Sequence, residues 1–332
     1  MNEQTSPQSE LFRLIKERIQ QNVSAVHDIS ELLGISYDSA YRRMRGEKEL
    51  TLEEFQKLCH HYSISADALF SLKTGSMIFN SRAVGEDGYT LEQWLQSILS
   101  EIRIIQKCKE KEIIYAAKDL PVFYYFEFPE IAAFKIYFWH KALLSYHGLE
   151  GKLFSFDIPN DIYAFGRQVL SSYLTIPSIE LWNEETITSI LRQVEFCYVS
   201  GFFEKKEDAL RLCDILESYV RHIQQQAEYG FRYLYGSEPK GVEGSFKLYL
   251  NEVFLSDNTI LVIIDGNKVT YHTYNIINLL ITTNSTFCDQ IENSLRILMK
   301  KSSLISGTSA KERNRFFNHL AERVRTLKEK IK

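Results

Sequence analysis

Residues 34–48 read GISYDSAYRRMRGEK and gather Arg42, Arg43, Arg45 and Lys48 in one short run. Cations at that density suit phosphate, and an arginine presented edge-on donates two hydrogen bonds to a guanine. Tyr37, Asp38, Ser39 and Tyr41 stand just before them and add a carboxylate, a hydroxyl and two phenols. The same run also suits a plain solvated helix end, because Lys and Arg are favoured at the negative pole of a helix. The neighbouring elements have to decide between the two.

Catalytic chemistry finds less support. The eight histidines, His27, His60, His61, His140, His147, His222, His272 and His319, form no H-E-x-x-H motif, and none sits beside a G-x-S-x-G elbow. Cys59, Cys108, Cys197, Cys213 and Cys288 are scattered without a C-x-x-C pair, which argues against a zinc ribbon or a disulfide framework. The expectation is therefore no catalytic residue, no metal, no cofactor and no enzyme activity. KKSSLISGTSAKER, residues 300–313, could hold a phosphate at a helix start. We prefer a turn at Gly307 with Thr308 or Ser309 as the cap. PVFYYFEFPEIAAFKIYFWHKALL, residues 121–144, reads either as core or as the wall of a ligand pocket.

With 332 residues, the chain is long enough for two domains, and its 45% hydrophobic content supports a packed core rather than disorder. The net charge of -4 does not mark a nucleic-acid binder, so such a reading depends on where the charges sit. MNEQTSPQSE lacks the basic and apolar segments of a signal peptide, and no window reaches a membrane-spanning run. The expectation is a soluble, cytoplasmic protein with no membrane partner.

Stripes at Leu11, Leu14, Ile15 and Ile19, at Ile29, Leu32 and Leu33, and at Leu52, Phe55, Leu58 and Cys59 predict short helices flanking the basic run. Together they define a helical domain over 9–72. A linker follows over 73–88, then a C-terminal regulatory or oligomerisation region over 89–332. That region reads as helical at 91–105 and 187–226. Near 245–284 the period moves towards two, and Asp265-Gly266 signals a hairpin. The fold class expected is mostly α, with a small antiparallel β-sheet near 245–284. Phe317, Leu320, Val324, Leu327 and Ile331 form a last amphipathic stripe, a candidate seam for self-association or a protein partner.

Within 9–72, Ser30 is a small residue before a turn, Gly34 tolerates positive φ, Ile35 is apolar just after it, and Ser36 can cap the next helix. With the S-E-L-L-G-I-S core come Arg45-Gly46, an L-x-x-F-x-x-L-C helix and I-S-A-D-A-L-F. On these residues the segment Ile29 to Phe70 resembles the Cro/lambda-repressor-like (XRE) helix-turn-helix family. It departs from the pattern at Ala25-Val26, where Thr-Gln is usual, and at Arg43, where an apolar residue often packs.

The resemblance implies that helix 36–45 lies in the major groove of double-stranded DNA. Tyr37, Asp38, Ser39, Tyr41 and Arg42 would read bases, and Ser36, Arg43, Arg45 and Lys48 would contact phosphates. It implies a sequence-specific transcription regulator. An acidic excess elsewhere in the domain favours binding as a homodimer, and the C-terminal region is a candidate sensor of a small-molecule effector. The alternatives are a C-terminal region that binds only a protein partner and, weaker, an enzyme fused to a DNA-binding domain.

Overall fold

The computed structural model describes residues 6–19, 24–62, 64–70, 77–81, 83–85, 89–142, 151–252, 255–275 and 277–332. His147 and part of the expected linker, at 73–76, 82 and 86–88, lie outside them. The chain divides into two compact units, Met1–Ile78 and Phe79–Lys332.

The elements described in the first unit are all helices: α1 (Pro7–Arg18), α2 (Ala25–Leu33), α3 (Tyr37–Met44), α4 (Leu52–His61) and α5 (Ala66–Phe70). Each of the first four starts at a Ser or Thr in extended conformation, and three of these side chains accept a backbone N–H of the first turn. Leu11, Phe12, Ile15, Ile29, Leu33, Ala40 and Leu58 meet in one core, closed by Tyr62 and Ile64. Leu52 is not part of it. As the first residue of α4 it is 78% exposed.

The second unit corrects the expected fold class. Its sheet has seven strands, not a few near 245–284, and it is mixed rather than antiparallel: β1 (Lys111–Ala117), β2 (Ser178–Trp182), β3 (Phe246–Leu250), β4 (Thr259–Ile264), β5 (Asn267–Asn275), β6 (Asn278–Thr282) and β7 (Ser303–Leu304) stand in the order β6-β5-β4-β1-β2-β3-β7. β1, β2 and β3 are parallel neighbours. β1–β4, β4–β5, β5–β6 and β3–β7 are antiparallel. The hairpin at Asp265-Gly266 forms, with φ of 46° and 81° at the two turn residues, the positive pair that a type I′ turn requires. β3, expected in an antiparallel ribbon, instead pairs with β2 across most of the chain's middle.

Helices cover both faces of this sheet. On one face Ile113, Tyr115, Trp182, Phe246, Leu248 and Val262 join the main core, which includes residues of α6 (Leu91–Lys107), a 3-10 turn (Val122–Phe126), α7 (Pro129–Ala142), α8 (Asn160–Tyr173), α9 (Glu185–Val199), α10 (Lys206–Tyr229) and α12 (Ala310–Ile331). On the other, Ile114, Ala116, Ile179, Leu181 and Leu261 meet Leu295 of α11 (Ser285–Lys300). Central strands covered on both sides need apolar residues at every position, so they lack the alternation that marks a half-exposed strand. The described part of the aromatic block forms the 3-10 turn and α7 and is buried nearly all round, while Leu143 and Leu144 lie outside the described residues.

The stripe of α12 is not an open seam: Phe317, Leu320, Val324, Leu327 and Ile331 are buried in the unit's own core. The cations of the same helix meet acids on the helices beneath, Lys328 with Asp214, Lys330 with Glu195 at 2.9 Å and Arg325 with Glu217 at 3.7 Å. At residues 300–313 Gly307 makes the turn with φ of 67°, and the buried Arg313 donates to the carbonyls of Ile305 and Gly307. Among the described residues no helix is long and apolar enough to cross a membrane.

Glu180 on β2 is a fully buried carboxylate. Its carboxylate accepts from Tyr124 at 2.8 Å, Tyr173 at 2.7 Å, Trp182 Nε1 at 2.9 Å and Arg232 at 3.1 Å. Arg232 also donates to the carbonyls of Tyr173 and Ile176. A buried ion pair that loses one partner leaves a charge stranded in low dielectric. We expect Glu180→Gln to lower the unfolding free energy of the second unit by about 3–5 kcal/mol. The three tryptophans, Trp94, Trp139 and Trp182, all lie in this unit, so urea unfolding followed by their fluorescence measures it directly. A loss below about 1 kcal/mol, the scale of an ordinary hydrogen bond, would show that the pair is dispensable.

Candidate nucleic-acid interface

The turn into α3 is built from Ser30, Gly34 and Ile35. Gly34 adopts φ of 65°; its N–H donates to the carbonyl of Glu31 at 3.2 Å, and that of Ile35 to the carbonyl of Ser30 at 3.0 Å. This paired closure satisfies carbonyls left over at the end of α2 and needs a residue without a Cβ penalty at positive φ. Ser36 then caps α3, its hydroxyl accepting from the N–H of Ser39. The far end closes in the same way. Gly46 has φ of 75°, and the N–H groups of Gly46 and Glu47 donate to the carbonyls of Arg43 and Arg42.

Ala40 is fully buried, and Met44 packs against the same core, which fixes the rotation of α3 about its axis. The other side of the helix therefore faces solvent. Tyr37 is 58% and Tyr41 45% exposed, Asp38 and Arg42 are exposed, and Ser39 is half-buried. Ser36, Arg45 and Lys48 are exposed at the two ends. Glu47 draws the two outer arginines together, at 3.2 Å from Arg45 and 4.0 Å from Arg42, and Arg45 lies 5.7 Å from the centre of the Tyr41 ring. Such exposed pairs are worth about 0–1 kcal/mol, so a phosphate or a base competes with them readily.

Arg43 does not share that surface. It is 4% exposed, and its guanidinium makes a two-pronged contact with Glu54 of α4, Nε to Oε2 at 2.9 Å and Nη2 to Oε1 at 2.7 Å. A third bond runs to the carbonyl of Ser39. Arg43, expected at a phosphate, is thus placed at an inward position of the helix and held there by charge pairing with Glu54. The Arg43 hydrogen bonds hold the Glu54 carboxyl below the usual carboxylate range.

Two supporting residues were not singled out in the sequence. Glu54 also completes a capping box, accepting from the N–H of Thr51 while Thr51 accepts from that of Glu54. The T-x-x-E spacing at 51–54 is its visible signal. Gln8 of α1 donates to the carbonyls of Arg43 and Lys48, both at 2.8 Å, and accepts from the N–H of Leu50. Nothing local in the sequence marks it, because its partners lie about forty residues away. Tyr62 closes the unit, its hydroxyl donating to Asp28 at 2.6 Å, and burial together with that carboxylate pushes the phenol up.

Comparison with known proteins finds a match to the BetR domain at residues 13–83, a helical domain associated with DNA-binding regulators. The matched segment contains α2, α3, α4 and α5 and the second half of α1. No curated protein and no solved structure matches the chain.

If the Arg43–Glu54 pair holds α3 against α4, breaking it should unfold the first unit and leave the second intact. Glu54→Gln is expected to cost the first unit about 3 kcal/mol, as a stranded buried charge does. Arg43→Lys, which cannot reproduce the two-pronged contact, should lose a smaller share. Helix melting by far-UV circular dichroism, set beside tryptophan fluorescence from the second unit, separates the two transitions. An unchanged first transition in Glu54→Gln would rule out the pair as the fastener of α3.

Proposed function

We propose that the chain is a sequence-specific DNA-binding transcription regulator of the XRE helix-turn-helix kind, with α3 entering the major groove. The observation that carries this reading is the sorting of cations on one short helix. Arg43 is withdrawn into a pair with Glu54, while Arg42, Arg45 and Lys48 remain in solvent beside two exposed tyrosines. The BetR match over the same segment supports it independently.

In this reading Arg42 donates to guanine O6 and N7, Asp38 accepts from a cytosine amine, and Tyr37 meets a thymine methyl or a phosphate. Ser39 and Tyr41 lie within reach of the same base edges. The Ser36 N–H and the side chains of Arg45 and Lys48 take phosphates, which set position and orientation without reading sequence. One α3 offers few cations, and Glu47 screens two of them. Two copies on a two-fold site therefore supply the affinity that one lacks, and we assign the regulator as a homodimer on that ground. The buried stripe of α12 leaves the dimer contact to another surface.

Selection from a randomised duplex pool should enrich a two-fold-symmetric site. Arg42→Ala should lose about 1–3 kcal/mol at one base pair and relax preference there, whereas Lys48→Ala should weaken all sequences alike and reduce the salt slope by about 1. No enrichment, or enrichment that Arg42→Ala leaves untouched, contradicts reading by α3.

A further inference from the structure

In the second unit α6, the 3-10 turn and α7 close with β1, β4 and β5 around a cavity of about 80 Å³. Its wall is mostly apolar and aromatic, with Trp94, Ile102, Tyr115, Phe123, Tyr125 and Val262 among its residues. At about 10–15 Å³ per water by this measure, the space equals roughly six waters. A chain or ring of about eight to ten non-hydrogen atoms fills that volume at protein packing density.

Two carboxyl side chains and one amine, Glu101, Asp119 and Lys135, break the apolar wall. Lys135 of α7 is 2% exposed, and its Nζ donates to Gln193 Oε1 at 2.7 Å and sits 4.5 Å from the centre of the Tyr125 ring. Among the described residues it joins no ion pair, although an ammonium carries three donors. Burial pulls its pKa down to about 7, with Asp119 opposing the shift. Trp139, one turn further along α7, lines the same cavity, and its buried indole N–H has no acceptor among the described residues. Two donors with unused capacity therefore stand on one helix face, where a buried polar group ordinarily finds a partner.

Two acids share the wall, Asp119 and Glu101. The backbone N–H of Asp119 donates to Asn258 at 3.1 Å, and its carboxylate favours the charged form of Lys135 without pairing with it among the described residues. Burial pushes the Glu101 carboxyl up, towards its neutral form, which lessens its repulsion of an incoming anion. Aromatic walls also attract cations, but here the Lys135 ammonium already lies over the Tyr125 face and repels a second positive charge. A dianion would bring more charge than one ammonium can meet.

We propose that this cavity binds a small monocarboxylic acid with an aliphatic or aromatic body, its carboxylate held by Lys135 Nζ and Trp139 Nε1 and its body by the aromatic wall. The ligand supplies a contact ion-pair partner, which the buried ammonium lacks among the described residues, and the protein supplies a largely apolar site. The inference goes beyond DNA reading and does not depend on it, because its test contains no DNA.

The full chain is titrated by calorimetry with hexanoate, octanoate and phenylacetate, beside hexanol, 2-phenylethanol and tetramethylammonium. The fluorescence of Trp94 and Trp139, both in the wall, is read in parallel. The expected result is saturable binding of at least one acid, preferred over its alcohol and over the cation. Lys135→Met should weaken the acid at least tenfold and leave the alcohol unchanged or tighter. Val262→Phe, which fills the cavity from β4 without touching the charge, should abolish acid binding, and this second variant decides the matter if Lys135→Met does not fold. No saturable binding of any acid, equal binding by Lys135→Met, preference for the alcohol or the cation, or undiminished binding by Val262→Phe would each overturn the proposal.

Discussion

A charge taken out of water must be met by another charge or by hydrogen bonds, since left alone it costs several kcal/mol. Both units of this chain are arranged around that constraint. In the first, Arg43 and Glu54 meet in a two-pronged contact that joins α3 to α4. In the second, Glu180 collects four donors from the 3-10 turn, α8, its own strand and Arg232. The first pair sets which side chains of α3 face outward, and the second ties helices to the middle of the sheet.

The division of labour on α3 follows from the same constraint. With Arg43 committed inward and Ala40 beneath it, the helix cannot roll without exposing a charge pair and burying a tyrosine. The outward set is fixed before any partner arrives, which is what a reading surface requires. The basic C-terminal helix offers an instructive contrast. It carries more cations than α3, yet Asp214, Glu195 and Glu217 of the neighbouring helices lie against them, and its apolar stripe is covered. A count of basic residues alone would not separate matched cations from solvent-facing ones.

Legibility in the sequence follows the distance over which each feature is determined. The Gly34 turn, the Ser36 cap and the Asp265-Gly266 hairpin were legible because each depends on a few adjacent residues. The inward place of Ala40 and the exposure of Tyr37 and Arg42 followed from helical spacing alone. Arg43 read as surface because its identity suggests solvent, and only the tertiary approach of Glu54 reverses that. β1 and β2 were not assigned: five to seven residues covered on both faces carry no alternation, and their parallel partners lie far along the chain. The aromatic block announced burial, but not that Lys135 within it would join no ion pair among the described residues.

The central claim is that the exposed face of α3 is the surface that meets DNA. Backbone hydrogen exchange of the full chain, with and without a duplex that it binds, tests this most directly. The account predicts slowed exchange over residues 36–48, with the amides of α12 unchanged. Slowing confined to α12 or to the sheet unit, with residues 36–48 unaffected, would contradict it.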